Sequence, residues 1–208
     1  MARWDQSDWT EDHLVGGHPV LDFLNTAGGR TKQRDVERLP EFASFVAWSE
    51  ITNIVSIDEA DMLREVAEDD PAAADAELAA ARRFREALHG CMMAEQANTP
   101  WPPAERDAVL SDIRQALLAA QLQEDGGRYG WVVSSGSPGL SLPIDRLALA
   151  TEALLRSEDL ARMRNCERCS WLFIDRGRGR ARRWCSMAAC GSRAKSARYY
   201  ERRKAGSA

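Results

Sequence analysis

Residues 166–193 read CERCSWLFIDRGRGRARRWCSMAACGSR and contain four of the chain's five cysteines. Two cysteines come first with two residues between them, and a second pair follows 15 residues later with four residues between its members. A Cys-x2-Cys pair places two thiolates on one tight turn, and a second pair at this distance completes the pattern of a structural zinc site. We therefore predict one zinc ion bound by Cys166, Cys169, Cys185 and Cys190.

Other chemistries of four clustered cysteines fit this pattern less well. Disulfides are rare in a reducing compartment, and a redox Cys-x-x-Cys does not explain the second pair. Four thiolates fill the coordination sphere of zinc and leave no open position for water, which argues against a zinc hydrolase. The fifth cysteine, Cys91, lies in a helical pattern, where we expect a small buried apolar residue.

The residues between the two cysteine pairs predict a small β element. Trp171–Ile174 is apolar and predicts one strand, and Arg182–Trp184 predicts its return. Ser186 is placed to cap a helix that begins near the second pair. A turn, a hairpin and a helix that each supply ligands predict a treble-clef or ribbon-like zinc module.

The charge of the chain is divided unevenly. Its 28 Lys and Arg and 32 Asp and Glu give a net charge of −4, yet residues 156–208 hold 15 basic against 5 acidic side chains, a net of +10. The remainder therefore carries −14. Because polyanions attract only the basic part, the sequence predicts two parts with different tasks. No apolar run approaches the roughly 18 residues of a membrane span, and we expect a cytoplasmic protein without a signal peptide or a membrane partner.

The basic side chains fall into two clusters, which we predict to contact duplex DNA. Arginines between glycines suit phosphate and base-edge contacts, and the residues after position 192 form a basic stripe at helical spacing. The alternative is a solvated basic face without a partner. The first cluster is Arg176, Arg178, Arg180, Arg182 and Arg183, at the tip of the predicted hairpin, and the second is Arg193, Lys195, Arg198, Arg202 and Arg203.

The rest of the chain predicts a mainly α fold with a small β element (α+β). Residues 1–12 are expected to be a flexible arm, 13–160 a helical domain that senses a signal, and 161–208 the zinc module. Helices are predicted over 39–49, 56–68, 71–98, 104–123 and 144–155, and a hairpin pairs 129–133 with 140–142. Residues 13–155 are long enough to bury a core, so we expect them to fold alone, whereas the last ~45 need the metal.

The run HPVLDFLNT at residues 18–26 is apolar and strand-like, with several polar side chains close together. His18, Asp22 and Asn25, with Trp48 or Trp131 as an apolar wall, are candidates for a small-molecule effector site. The alternative is that the polar groups cap turns and bond the local backbone. A catalytic use of His18 with Asp22 is a third interpretation, although no nucleophile elbow or phosphate loop supports an enzyme.

Several of these stretches resemble a known family. CERCSWLFID at 166–175, RRWCSM at 182–187 and CGSR at 190–193 resemble the CGNR zinc finger, and the run at 18–26 resembles the opening of the ABATE domain that typically precedes it. That family is assigned, by inference, to stress-induced transcription regulation in bacteria. Ser192 stands where the family has its name-giving Asn, and it can still make a short local hydrogen bond.

We therefore predict a non-enzymatic, zinc-dependent regulator of transcription that binds duplex DNA, with a small-molecule effector acting on the N-terminal domain. A zinc-stapled module that binds RNA or protein without sensing an effector is the alternative. A homodimer is compatible with the sequence, which does not specify an oligomeric state.

Overall fold

The computed structural model describes residues 14–133 and 139–205, so the predicted arm at 1–12 lies outside the described residues. Within that part the chain is mostly helical with two small antiparallel sheets, which confirms the predicted fold class. The helices are α1 (Pro19–Leu24), α2 (Phe42–Ile51), α3 (Ile57–Asp69), α4 (Pro71–Gln96), α5 (Pro103–Ala119), α6 (Leu142–Leu155) and α7 (Ser192–Ala205), and the strands are β1 (Gln121–Asp125), β2 (Arg128–Val132), β3 (Met163–Asn165) and β4 (Leu172–Ile174). None of the described helices is long and apolar enough to cross a membrane.

The run that looked strand-like is helix α1. His18 caps it, because the ring Nδ1 accepts a hydrogen bond from the Val20 backbone N–H at 3.2 Å, and Pro19 occupies the first turn. The sequence suggested an extended segment because five consecutive residues of this helix, Val20–Leu24, are all buried. A helix buried on every side shows no helical periodicity, so a short apolar run of this kind cannot be told from a strand.

Capping residues and prolines in the sequence predict where helices α3 and α4 begin. The predicted capping box forms at α3, where Ser56 and Glu59 each accept a hydrogen bond from the other's backbone N–H. Asp70 caps α4 through Ala73 N–H, and Pro71 sits in its first turn. Cys91 is fully buried on α4, as predicted, and burial raises the pKa of its thiol to about 11.

The hairpin after α5 differs from the prediction. Strand β2 pairs with the preceding β1, so that Leu122 faces Trp131, and the predicted partner at 140–142 instead leads into α6. Residues 121–123, predicted as the end of the helix over 104–123, belong to β1 instead, and the glycine pair Gly126-Gly127 is a two-residue turn with φ of 57° and 80°. Positive φ at both positions matches the twist of the two strands, so the glycines form the hairpin. Most of the turn predicted at 134–139 lies outside the described residues.

The second hairpin also differs from the prediction. Strand β4 pairs with the upstream β3, in the register Arg164 with Phe173, and residues 182–184 form no strand. The first cysteine pair therefore lies in the β3–β4 turn, which the Cys166 N–H closes on Trp171 O at 2.9 Å. The Arg176–Arg183 segment is consequently a loop that follows the hairpin, and it is not the hairpin's tip.

Strand β4 joins the helical core to the cysteine cluster. Leu172 and Ile174 belong to the core formed by the helices, together with Met163 of β3, whereas Trp171 and Phe173 pack against the cysteines. Alternate side chains of a strand point to opposite faces, so one short strand serves both sides. This shared strand favours co-folding of the two parts over the independent folding that length alone predicts.

Candidate metal centre and basic surface

The four predicted zinc ligands come together. The sulfurs of Cys166, Cys169, Cys185 and Cys190 all lie within 4.8 Å of one another, and all four residues are buried and free of disulfides. The Cys169 and Cys185 sulfurs are 3.8 Å apart. In a tetrahedral site with Zn–S bonds of about 2.3 Å, neighbouring sulfurs are about 3.8 Å apart. The donor set and its spacing therefore fit one structural zinc ion.

The four sulfurs interact strongly with one another. Hydrogen bonds from the other three cysteines hold the pKa of the Cys166 thiol well below its usual range, whereas the same cluster, through Cys166 above all, raises the pKa of Cys169 and Cys185. Four thiolates side by side repel one another, so a bound cation would be needed to stabilise all four in the charged form that binds zinc. Once bound, the ion would link the β3–β4 turn to the segment at 185–190 and supply a large part of the folding free energy of a segment with few large apolar residues.

The second cysteine pair is positioned by a wide turn. Ser186 caps a π-helical turn over Met187–Gly191, because its hydroxyl accepts a hydrogen bond from Ala189 N–H, which confirms the predicted cap. This turn runs directly into α7. Ser192, which replaces the family's Asn, donates its hydroxyl to Met187 O at 3.0 Å, the short local bond that the sequence predicted.

Arg193 is bound within the protein. Its guanidinium donates to the Cys190 sulfur at 2.9 Å and to the backbone oxygens of Gly29 at 3.0 Å and Arg30 at 3.3 Å. The arginine of the CGSR motif thus connects a metal-ligand sulfur to a loop of the N-terminal part. A hydrogen bond to a ligand sulfur orients the sulfur and stabilises its charge. The Arg193 side chain therefore has a structural role at the cysteine cluster.

The N-terminal part holds strand β4 through one side chain. The Asn25 side chain donates to Leu172 O at 2.8 Å and accepts from Leu172 N–H at 3.0 Å, so it pairs with the outer edge of β4 as a neighbouring strand would. Asn25 is only 2% exposed and Leu172 is fully buried. Further along the same edge, Ile174 N–H donates to Gly16 O at 2.8 Å.

The loop that follows Asn25 packs against the first cysteine pair. Trp171 donates its indole N–H to Ala27 O at 3.0 Å, and Ser170 N–H donates to Thr31 O at 2.8 Å. Gly29 has a φ of 91°, and a Cβ there would lie 2.4 Å from the Trp171 ring. Only glycine fits so close an approach in that conformation. No local pattern around Gly28-Gly29 indicates this distant partner in the sequence.

Two cations and one histidine complete this contact. Lys32 donates to the Cys166 carbonyl and to Asn165 Oδ1, and the Arg38 guanidinium lies 5.0 Å from the Trp171 ring centroid. The Nε2 atom of His89 lies 3.0 Å from the Ser170 carbonyl and must donate to it. Burial lowers the pKa of His89 to about 4, so the ring stays neutral and keeps this bond at neutral pH.

The structure separates the predicted DNA-contacting residues into two groups. Those that bind within the protein include Arg176, with Asp159 and Gly17 O, Arg183, with Glu167, and Arg193. Arg182 belongs with them, since it donates to Cys185 O at 2.6 Å and lies 4.4 Å from the Phe173 ring centroid. The second group consists of exposed side chains that form no hydrogen bond or ion pair with the described residues. Its members are Arg178, Arg180, Lys195 and Arg202. The side chains of Arg198 and Arg203 lie outside the described part of the chain.

The candidate effector residues are engaged with backbone groups. His18 caps α1, Asp22 accepts a hydrogen bond from Gly16 N–H at 2.7 Å, and Asn25 pairs with β4. Burial raises the pKa of Asp22 to about 7. Trp131 lies on the exposed hairpin, on an element different from the other three. These bonds are those expected of the structural alternative for the three polar residues.

A separate cavity of about 280 Å³ lies where the two parts of the chain meet. It is bordered by Glu95 at the end of α4, by Ser157 and Leu160 in the segment that leads to β3, and by Arg164 of β3. The sequence gives no sign of this cavity, because its walls come from segments some 60 residues apart and carry no motif.

Comparisons with known protein families also divide the chain into an N-terminal part and a zinc-binding part. Residues 17–158 match the ABATE family, described as "Putative stress-induced transcription regulator", and residues 162–203 match the CGNR zinc finger. No curated protein was found to match the chain. The second match contains all four clustered cysteines, so zinc is the cofactor of this site. Because the first match covers more than half of the chain, the protein belongs to the ABATE family and carries a CGNR zinc finger after the ABATE domain.

Proposed function

We propose that the chain is a zinc-dependent, DNA-binding regulator of transcription that works in the cytoplasm without enzymatic activity. In this proposal residues 161–208 contact duplex DNA and residues 13–160 transmit a signal to them. The observation that carries it is the group of four exposed cations, Arg178, Arg180, Lys195 and Arg202, which have no partner among the described residues. They lie within residues 156–208, which carry a net charge of +10, and a cluster of exposed cations suits a polyanion.

The contacts of the zinc finger with the loop at 25–34 support the transmission of a signal. Asn25, Lys32 and Arg193 each bridge the two parts of the chain by hydrogen bonds. A change in the ABATE domain that moved this loop would therefore move the β3–β4 turn and the start of α7 as well. We propose the cavity near Arg164 as the site for a small-molecule effector, since the side chains of His18, Asp22 and Asn25 are engaged with the backbone.

The test is the salt dependence of binding to labelled duplex DNA, measured by fluorescence anisotropy. Phosphate contacts release counterions, so log K falls with log salt by about 0.9 per phosphate neutralised. Replacing Lys195 or Arg202 by Ala should weaken binding to all sequences alike and lower that slope by about one. The matched control is Arg114→Ala, which removes an exposed cation from α5 in the acidic part.

Two outcomes would contradict the proposal. Absence of salt-dependent duplex binding at low ionic strength would exclude the DNA-binding regulator. Stronger binding to single-stranded or duplex RNA in a competition experiment would favour the RNA-binding alternative, which the same basic surface fits.

A further inference from the structure

The loop from Arg176 to Arg183 is held at both ends. The Asp175 carboxylate accepts hydrogen bonds from the backbone N–H groups of Gly177 at 3.2 Å and Arg182 at 2.9 Å, which draws the two ends of the loop together. The Arg176 side chain donates to Gly17 O at 2.9 Å and pairs with Asp159. The base of the loop is thereby fixed to both the ABATE domain and the zinc finger.

The arginines of this loop are not equivalent. Arg182 and Arg183 lie over the rings of Phe173 and Trp184, with distances of 4.4 and 5.0 Å to the ring centroids, and they also bond to the protein. Arg178 and Arg180, in the middle of the loop, are exposed and have no partner among the described residues. Three of five arginines therefore hold the loop in place, and two project from it.

Gly179, between the two projecting arginines, is required neither by packing nor by backbone conformation. A Cβ at Gly179 would meet nothing within 4 Å, and its φ lies outside the positive range. At Gly177, in contrast, a Cβ would lie 3.1 Å from the Asp175 carboxylate. Without a side chain at Gly179, a partner's surface can approach the backbone between the two arginines closely.

The shape and charge of this tip suit the minor groove of DNA. The minor groove is about 6 Å wide, which excludes a helix but admits a narrow segment without a side chain at its centre. Tracts of A·T pairs narrow the groove further and strengthen its negative potential, which attracts inserted arginines. Guanine, in contrast, places its N2 amino group on the floor of the groove.

We propose that the tip formed by Arg178, Gly179 and Arg180 inserts into the minor groove of A·T-rich duplex DNA. The exposed cations of α7, Lys195 and Arg202, contact the phosphate backbone. This inference rests on the proposed DNA-binding function and names the groove and base composition that the same surface recognises.

The test adds or removes a single amino group in the minor groove. Duplexes of one length are compared in which inosine replaces guanine, which removes that amino group, or 2,6-diaminopurine replaces adenine, which adds it, while the major groove keeps its pattern. We expect A·T and inosine·C duplexes to bind alike, and at least about ten-fold more tightly than G·C and diaminopurine·T duplexes.

Substitutions in the protein then test which arginines produce this preference. Arg178→Ala combined with Arg180→Ala should abolish the preference while leaving the weaker, salt-dependent binding that α7 provides. Arg114→Ala, which removes an exposed cation from α5 and leaves the loop contacts in place, should keep the preference. Zinc content and thermal unfolding confirm that each variant is folded, and the modified duplexes test the wild-type protein even where a variant is not.

The outcomes separate this inference from the proposed function. Salt-dependent duplex binding that ignores the minor-groove amino group, or a preference that survives the double substitution, overturns the inference and leaves the DNA-binding proposal standing. Absence of duplex binding at low ionic strength overturns both.

Discussion

Replacing Asn25 by Ala removes the side chain that pairs with strand β4. The substitution leaves the Leu172 N–H and C=O, which bond Asn25 at 3.0 and 2.8 Å, without partners in a fully buried position. Each buried backbone group left unpaired costs about 1–3 kcal/mol. Neighbouring groups should relax partly into the space that the deleted side chain leaves, so we predict a loss of roughly 3 kcal/mol in the free energy of unfolding. For a chain of this size that lowers the melting temperature by about 6–12 °C.

A second substitution at the same position adds a pH signature. Asn25→Asp keeps an acceptor for the Leu172 N–H, but above its pKa the carboxylate lacks the hydrogen that bonds Leu172 O. A protonated carboxyl can both donate and accept, as the amide does. The pKa of the introduced group should therefore be raised in the folded state, so the variant is least stable at pH 8 and regains stability as the pH falls toward 5.

The assay is thermal unfolding at pH 5 and pH 8, combined with the rate at which a chelator removes zinc. Loss of the β4 bonds should speed zinc release, because β4 follows directly on the Cys166–Cys169 turn. Gln115→Ala, at an exposed position of α5, is the control and should change neither quantity. An unchanged melting temperature for Asn25→Ala, together with a pH-independent Asn25→Asp, would refute the pairing of Asn25 with β4 as a stabilising contact.

Three more predictions concern the metal, a buried acid and the shared core. The protein should bind one zinc ion per chain by elemental analysis, with Cys91→Ser at full content and Cys169→Ser deficient; equal content in the two variants would contradict the ligand assignment. Asp22, whose pKa is raised from 3.8 to about 7, binds a proton more readily in the folded than in the unfolded state, so wild-type stability should fall as the pH rises from about 4 to 7. The free energy of unfolding of Asp22→Asn should therefore rise relative to the wild type by up to about 4 kcal/mol between pH 4 and pH 8, measured by urea unfolding, and a pH-independent difference would exclude the raised pKa of Asp22. A fragment of residues 1–160 lacks three buried core side chains worth about 1.5–3 kcal/mol each, so we expect no cooperative unfolding transition, and one near the wild-type temperature would show that the ABATE domain folds alone.

Signals carried by neighbouring residues were sufficient to predict much of this chain. The cysteine spacing, the Ser56–Glu59 capping box and the Pro71 helix start each depend on groups a few residues apart, whose geometry the local backbone sets. The charge asymmetry likewise needs only counting. The fold class, the zinc ligands and the family followed from these patterns.

The errors arose where a distant contact decides the outcome. The Gly126-Gly127 pair ends a helix or turns a hairpin equally well, and pairing with β2 selected the hairpin. Strand β4 had two possible partners, and β3 prevailed because the first cysteine turn brings the two strands together. In both places the sequence allowed two structures, and long-range packing chose between them.

Tertiary structure alone shows which polar residues are engaged. A basic or polar side chain looks the same in a sequence whether or not it has a partner, because that partner can lie far along the chain. Arg193 bonds to Gly29 O, 164 residues away, and Asn25 bonds to Leu172, 147 residues away. These contacts assign Arg193 and Asn25 to the junction between the ABATE domain and the zinc finger, whereas Arg178 and Arg180 remain exposed.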